Sequence, residues 1–120
     1  MDQTFRKDER LRRSQDITEV LKTGTRIGKD GLSLVYLARE GSSGNRAGFI
    51  VRKKLGKAVS RNLMKRRMRE AYRRMKSGLR PGYDLVFSAN QIIEYIKVRE
   101  TMTELMKKGL IAPEEFNLNV

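Results

Sequence analysis

Apolar positions along this chain recur with two different periods, and the places where one period gives way to the other divide it into elements. From Ser14 to Lys22 the apolar residues Ile17, Val20 and Leu21 fall on one helical stripe. Ser14 suits the N-cap, Asp16 and Glu19 the early turns, and Gly24 the end. Thr25–Gly28 has room for a brief strand. Gly31–Glu40 (GLSLVYLARE) is rich in strand formers, as is Arg46–Lys54 (RAGFIVRKK), and the GSSGN between them is turn chemistry. The two are therefore expected to form an antiparallel hairpin. Helical spacing returns at Met64, Met68, Ala71, Tyr72 and Met75, in a helix that starts at Ser60 or earlier and ends at Gly78. After the turn Leu79–Gly82, Tyr83–Ser88 (YDLVFS) is an apolar run suited to the inside of a sheet. Glu94–Lys108 then carries Val98, Met102, Leu105 and Met106 on one helical face. The order α-β-β-β-α-β-α describes an α+β fold, helices packed on a small sheet. Neither an internal repeat nor a linker divides the chain, so residues 1–120 read as one domain, with 1–12 and 111–120 expected to be loosely ordered.

Charge changes this picture. Lys and Arg number 27 against 14 Asp and Glu, a net charge of +13, and the isoelectric point is about 10.5. Such an excess repels itself in the free protein and makes sense beside a polyanion. The chain is nonetheless no basic tail, because 38% of it is hydrophobic and its apolar residues are periodic. No run of 18 apolar residues could cross a membrane, and MDQTFRKDERLRR has no apolar signal core, so a cytoplasmic protein is expected. There is no Cys, which excludes disulfides and thiolate metal sites, and no His, the commonest general base.

The charge is concentrated in Lys53–Arg74, where ten of 22 residues are Lys or Arg (KKLGKAVSRNLMKRRMREAYRR). At about 100° per residue, Arg61, Lys65, Arg69, Asn62, Arg73 and Arg66 fill one continuous arc beside the apolar stripe. A solvated helix face would alternate its signs, but Glu70 is the one acid among these cations. Like charges at i,i+4, such as Arg61–Lys65 and Lys65–Arg69, destabilise the free helix by about 0.2–0.5 kcal/mol per pair. A helix tied down by one edge with cations ordered beside it is built to hold a polyanion, and nucleic acid fits. Cations four residues apart lie about 6 Å apart along the axis, comparable to a phosphate repeat. Arg offers bidentate phosphate contacts and Lys65 a point charge. Asn62, in the same arc, suits either a base or sugar contact or a local cap.

Catalysis by the chain itself is not expected. Metal-assisted phosphodiester cleavage needs converging carboxylates, and Asp16, Glu19, Asp84, Glu94, Glu100 and Glu104 are scattered over separate elements. GSSGN follows a strand but precedes another strand, so it is no phosphate loop. Among aromatics able to stack bases, Phe49 and Tyr72 read as core, while Tyr36 is open to either role.

Lys53, Lys54, Gly56, Ala58, Val59, Arg61, Asn62, Lys65, Arg66 and Arg69 match, without a gap, the pattern KK-x-G-x-A-V-x-R-N-x-x-K-R-x-x-R. In this the chain resembles the bacterial ribonuclease P protein component. RLRRSQDI–LKTGT, RAGFIVRKK, PGYDLVFSA and the closing helix follow in that family's order, so the resemblance covers nearly the whole chain. It implies a mixed four-stranded sheet with three helices and a left-handed β-α-β crossover carrying the basic helix. It also implies partnership with a catalytic RNA, which removes the 5′ leader of precursor tRNA endonucleolytically and leaves a 5′-phosphate. Mg2+ would be used through that RNA, with no cofactor on the protein's side chains and no small-molecule substrate. Arg61, Asn62, Lys65, Arg66 and Arg69 would contact RNA, with Lys53 and Lys54 extending the set and Arg73 joining it from the arc. The leader would lie in a cleft between the first helix and the sheet. There the family often places two aromatics, and this chain has Ile17 and Leu21, which offer van der Waals contact without stacking. The third residue of the family's Arg-Asn-Arg core, a cation there, is Leu63 in this chain. The family's sheet Tyr falls on Val35 by ungapped spacing, with Tyr36 one residue away as the candidate cleft aromatic.

Other readings are a ribosomal or general RNA-binding protein, a double-stranded DNA binder, and a self-sufficient nuclease. The missing carboxylate cluster speaks against the last. The apolar stripe beside the cations speaks against a helix free to read a major groove.

Overall fold

The computed structural model describes residues 5–41 and 44–116. Its elements are α1 (Ser14–Thr23), β1 (Thr25–Lys29), β2 (Leu32–Ala38), β3 (Arg46–Val51), α2 (Ala58–Met75), β4 (Tyr83–Ala89) and α3 (Tyr95–Lys108), with short 3-10 turns at Lys7–Glu9, Lys53–Leu55 and Lys76–Gly78. The α+β class and element order are as expected. The strands form one mixed sheet in the order β1-β2-β4-β3.

The pairing differs from the expected hairpin. β2 and β3 are not neighbours, because β4 lies between them, antiparallel to β2 and parallel to β3. The hairpin is instead β1–β2, closed by the two residues Asp30 and Gly31, both at positive φ (50° and 86°). An Asp-Gly pair takes up that geometry readily, and its twist matches the flanking strands. The longer connection after β2 leaves β3 free to pair at the far edge. Lys53 and Lys54 accordingly sit in a 3-10 turn beyond β3 rather than in a strand.

The two faces of the sheet are covered differently. Met64, Met68, Ala71, Tyr72 and Met75 of α2 are all buried, and with Val98, Met102, Leu105 and Met106 of α3 they pack on Leu34, Leu85 and Phe87. Phe49 and Tyr72 belong to this core: Phe5, Phe49, Tyr72 and Phe87 form a ring cluster with centroids 5.6–6.1 Å apart. The opposite face carries α1 alone among the helices, and its Val20 and Ile17 pack with Leu11, Val35, Val86, Leu37 and Ile50.

The chain ends expected to be loose include residues 1–4 and 117–120, which lie outside the described residues. Of the remainder, Phe5, Leu11, Ile111 and Ala112 are buried. The Leu11 amide donates to the Ala47 carbonyl at 2.9 Å, and Lys76 pairs with Glu9 at 2.8 Å. At the other end the Arg80 amide donates to the Ile111 carbonyl at 2.7 Å. Single apolar side chains in polar surroundings anchor both segments, a signal too sparse to show as periodicity.

Candidate nucleic-acid interface

Alpha-helix α2 is held by its stripe of methionines, Ala71 and Tyr72, so its other side is fixed in direction. On that side the cations divide into two groups. Some are committed to the protein. Arg67 Nη1 donates to the Ile93 carbonyl, bracing α2 against the start of α3, and Arg61 Nη1 donates to the Gly56 carbonyl. Gly56 has φ 123° and ψ −150°, a conformation open to glycine, which accounts for the Gly in the matched pattern. Arg73 donates from Nε and Nη2 to the two Glu70 oxygens at 2.8 Å, and Arg74 Nε reaches Glu70 Oε2 at 3.2 Å. The hydrogen bond from Arg73, with help from Arg74, holds the Glu70 carboxyl down to about 2, against the opposing effect of burial.

The rest stand apart. Asn62, Lys65, Arg66 and Arg69 have no hydrogen-bond or ion-pair partner among the described residues, and they lie on the predicted arc. Asn62, Arg66 and Arg69 are exposed and Lys65 half-buried. Arg61 and Arg73 flank this row with part of their donors already engaged. Lys53 and Lys54, both exposed, stand at the turn that leads into the helix.

On the other face the structure brings Ile17 and Leu21 together but not Tyr36. Ile17 faces the sheet within the α1 cluster, and Leu21 is 37% exposed beside it. Tyr36 is corrected. Its ring packs into the core under α2 and α3, edge-on to Tyr83 at 6.2 Å, so the structure does not bring it together with Ile17 and Leu21. The two-residue period of β2 is the cause: Leu32, Leu34 and Tyr36 point one way, and Ser33, Val35 and Leu37 the other.

Residues not singled out from sequence shape the open end of that face. A cavity of about 300 Å3 is lined by Arg26, Gly28, Ser33, Arg52, Ser88 and Asn90, among others. Ser33 and Ser88 are cross-strand partners with hydrogen-bonded hydroxyls, and Arg26 Nη1 reaches Ser33 Oγ at 3.4 Å. Small side chains leave the sheet floor uncovered there. The residue after β3, Arg52, borders the cavity and is followed at once by Lys53 and Lys54. Positive charge therefore runs from the sheet floor around the end of β3 to the start of α2.

Asp84 of β4, 5% exposed, fixes the opposite end. Arg46 grips it with two hydrogen bonds of 2.9 and 2.8 Å, Arg39 Nε lies 3.3 Å away, and Arg46 Nη1 reaches Asp16 of α1 at 3.8 Å. This network joins α1 to the sheet. Among the described residues no three acidic side chains converge as a metal site, and no helix is long and apolar enough to cross a membrane.

A tied-down helix with a cation row unpartnered among the described residues, on a mixed four-stranded sheet whose other face is half open, defines a basic α+β protein whose charge suits a polyanion. The chain belongs to the ribonuclease P protein family: the family model for Ribonuclease P matches residues 5–110. The chain is 35% identical over 109 residues to the ribonuclease P protein component of Caldanaerobacter subterraneus, covering 88% of this chain and 93% of that one. It is 30% identical over 115 residues to the component from Thermotoga maritima, covering 90% and 97%. The solved structure of the Thermotoga maritima RNase P protein superposes with a TM-score of 0.75 at 30% identity, covering 83% of this chain and 96% of that one. The Staphylococcus aureus RNase P protein at 2.0 Å shares the fold, with a TM-score of 0.79 at 23% identity over 87% and 97% of the two chains.

Proposed function

We propose that this chain is the protein subunit of ribonuclease P in tRNA 5′ maturation, and that its two faces divide the work. On one side Asn62, Lys65, Arg66 and Arg69, flanked by Arg61 and Arg73 and extended by Lys53 and Lys54, bind the ribonuclease P RNA. On the other, the space between α1 and the sheet holds the single-stranded 5′ leader of precursor tRNA against Ile17 and Leu21. Arg26, Ser33, Arg52, Ser88 and Asn90 meet its backbone at the open end. Cleavage of the phosphodiester belongs to the RNA, with Mg2+ held there, and the protein contributes binding and charge neutralisation. The observation that carries this reading is the row of cations without protein partners on a helix whose packing fixes their direction.

Reconstitution tests it. Purified protein is added to a bacterial ribonuclease P RNA at low Mg2+ and moderate salt with leader-bearing precursor tRNA. Cleavage at the mature 5′ end that needs both components is the expected result. No stimulation, with an RNA active alone at high Mg2+, would move the chain to a general RNA-binding role.

A further inference from the structure

Between α2 and the start of α3 lies a second feature. Arg66, Arg67 and Glu70 of α2 and Tyr95, the first residue of α3, line an open, mainly apolar cavity of about 350 Å3. That is at the small end of ligand cavities and suited to one planar ring rather than a larger molecule.

Its walls are unusually fixed for a surface site. Arg67 is held by the Ile93 carbonyl, and Glu70 by Arg73 and Arg74. The Arg99 guanidinium lies 5.8 Å from the centroid of the Tyr95 ring, which keeps the aromatic in place. The Tyr95 hydroxyl and Arg99 Nε are both shielded from solvent and have no hydrogen-bond partner among the described residues. Buried polar atoms left unpaired call for an explanation. Arg66, at the rim, belongs to the cation row.

An aromatic wall, an apolar interior, a carboxylate at the side and a guanidinium at the mouth do not suit a bare phosphate, which Glu70 would repel and an apolar floor would not hold. They do suit a base with its phosphate attached. We propose that this cavity receives one unstacked nucleobase of the bound RNA, its ring against Tyr95 and its phosphate on Arg66. The inference rests on RNA being the partner of the adjoining row. It adds a point where base, and not only backbone charge, is sensed.

The test uses the full chain and two probes at equal salt: a single-stranded hexaribonucleotide and an abasic ribose-phosphate hexamer. Stacking of a base on an aromatic contributes about 1–3 kcal/mol, or roughly 5- to 150-fold, so the base-bearing probe is expected to bind at least fivefold more tightly. Tyr95→Leu should shrink that ratio at least fivefold and leave the salt slope unchanged. Tyr95→Phe, which keeps the ring and the packing, should retain most of the ratio and guards against a folding defect in the leucine variant. Arg66→Ala should lower the slope for both probes. Equal binding of both probes, or a ratio untouched by Tyr95→Leu, overturns the base site while leaving the cation row intact. Binding of neither probe overturns the RNA reading of the row and this inference with it.

Discussion

The two faces of one sheet are built to opposite specifications. Under α2 and α3, twenty buried side chains among the described residues form one core; under α1 there are four. The deep side gives a rigid base, so that cations beside it keep their direction without help from one another. The shallow side leaves strand floor uncovered, so that something can lie along it. The same β4 serves both, with Leu85 and Phe87 facing the deep core and Asp84, Val86 and Ser88 the other side. A deep core and an open floor thus come from the alternation of a single strand.

Breaking each side should show the difference. Phe87→Ala removes a ring stacked 5.8 Å from Phe49 and should cost about 3–5 kcal/mol by denaturant titration. Arg46→Ala leaves the buried Asp84 with Arg39 as its remaining ion-pair partner and unties Asp16. A cost of about 2–3 kcal/mol is expected, with weaker discrimination between leader-bearing and leaderless substrates. Val20→Ala, on the shallow side, loses two methyl-sized groups and should cost about 2 kcal/mol. Leu21→Phe places a flat ring at an exposed position beside the proposed cleft. It should tighten binding of leader-bearing over leaderless precursor tRNA, while an unchanged ratio in direct binding would remove Leu21 from the leader path.

The smallest effect concerns acid. The Glu70 carboxyl is held down to about 2 in the folded chain against 4.5 ordinarily. Its contribution to stability is therefore fully present above about pH 4.5 and lost as pH falls towards 2. Because Glu70 is 40% exposed, solvent screens the pair and the loss is modest. Glu70→Gln should flatten the dependence of melting temperature on pH in that window, and parallel curves for the two proteins would show that the pair contributes nothing.

Much of this was legible in the chain, for identifiable reasons. The stripe Met64–Met75 was readable because helical packing is periodic and local, and all five of its residues are buried. The Glu70 pairs with Arg73 and Arg74 follow from i,i+3 and i,i+4 spacing. The partner of Arg67 could not be read this way, since it is a backbone carbonyl 26 residues on. GSSGN is generic turn chemistry and does not specify which strands pair, whereas Asp30-Gly31 is the stronger local signal and closes the β1–β2 hairpin. The floor between β2 and β4 is therefore not legible from local spacing. Ser33 and Ser88 become neighbours once β2 is known to pair with β4, and 55 residues separate them. Tyr36 fell on the wrong face by one residue, the smallest slip the two-residue period allows.

The α2 cations divide into those committed to the protein and those without a partner among the described residues, which we assign to RNA, and the salt dependence of binding to ribonuclease P RNA measures that division. Each lost phosphate contact lowers the slope of log K against log salt by roughly 0.7–0.9. Lys65→Ala with Arg69→Ala should lower it by about twice that amount without lowering stability, since like-charge repulsion along the helix is relieved. Arg67→Ala should leave the slope alone and cost about 1–3 kcal/mol of stability by leaving the carbonyl of the buried Ile93 without its partner. Equal slopes for the wild type and the double variant, or a drop in slope with Arg67→Ala matching that of the row, would contradict that division.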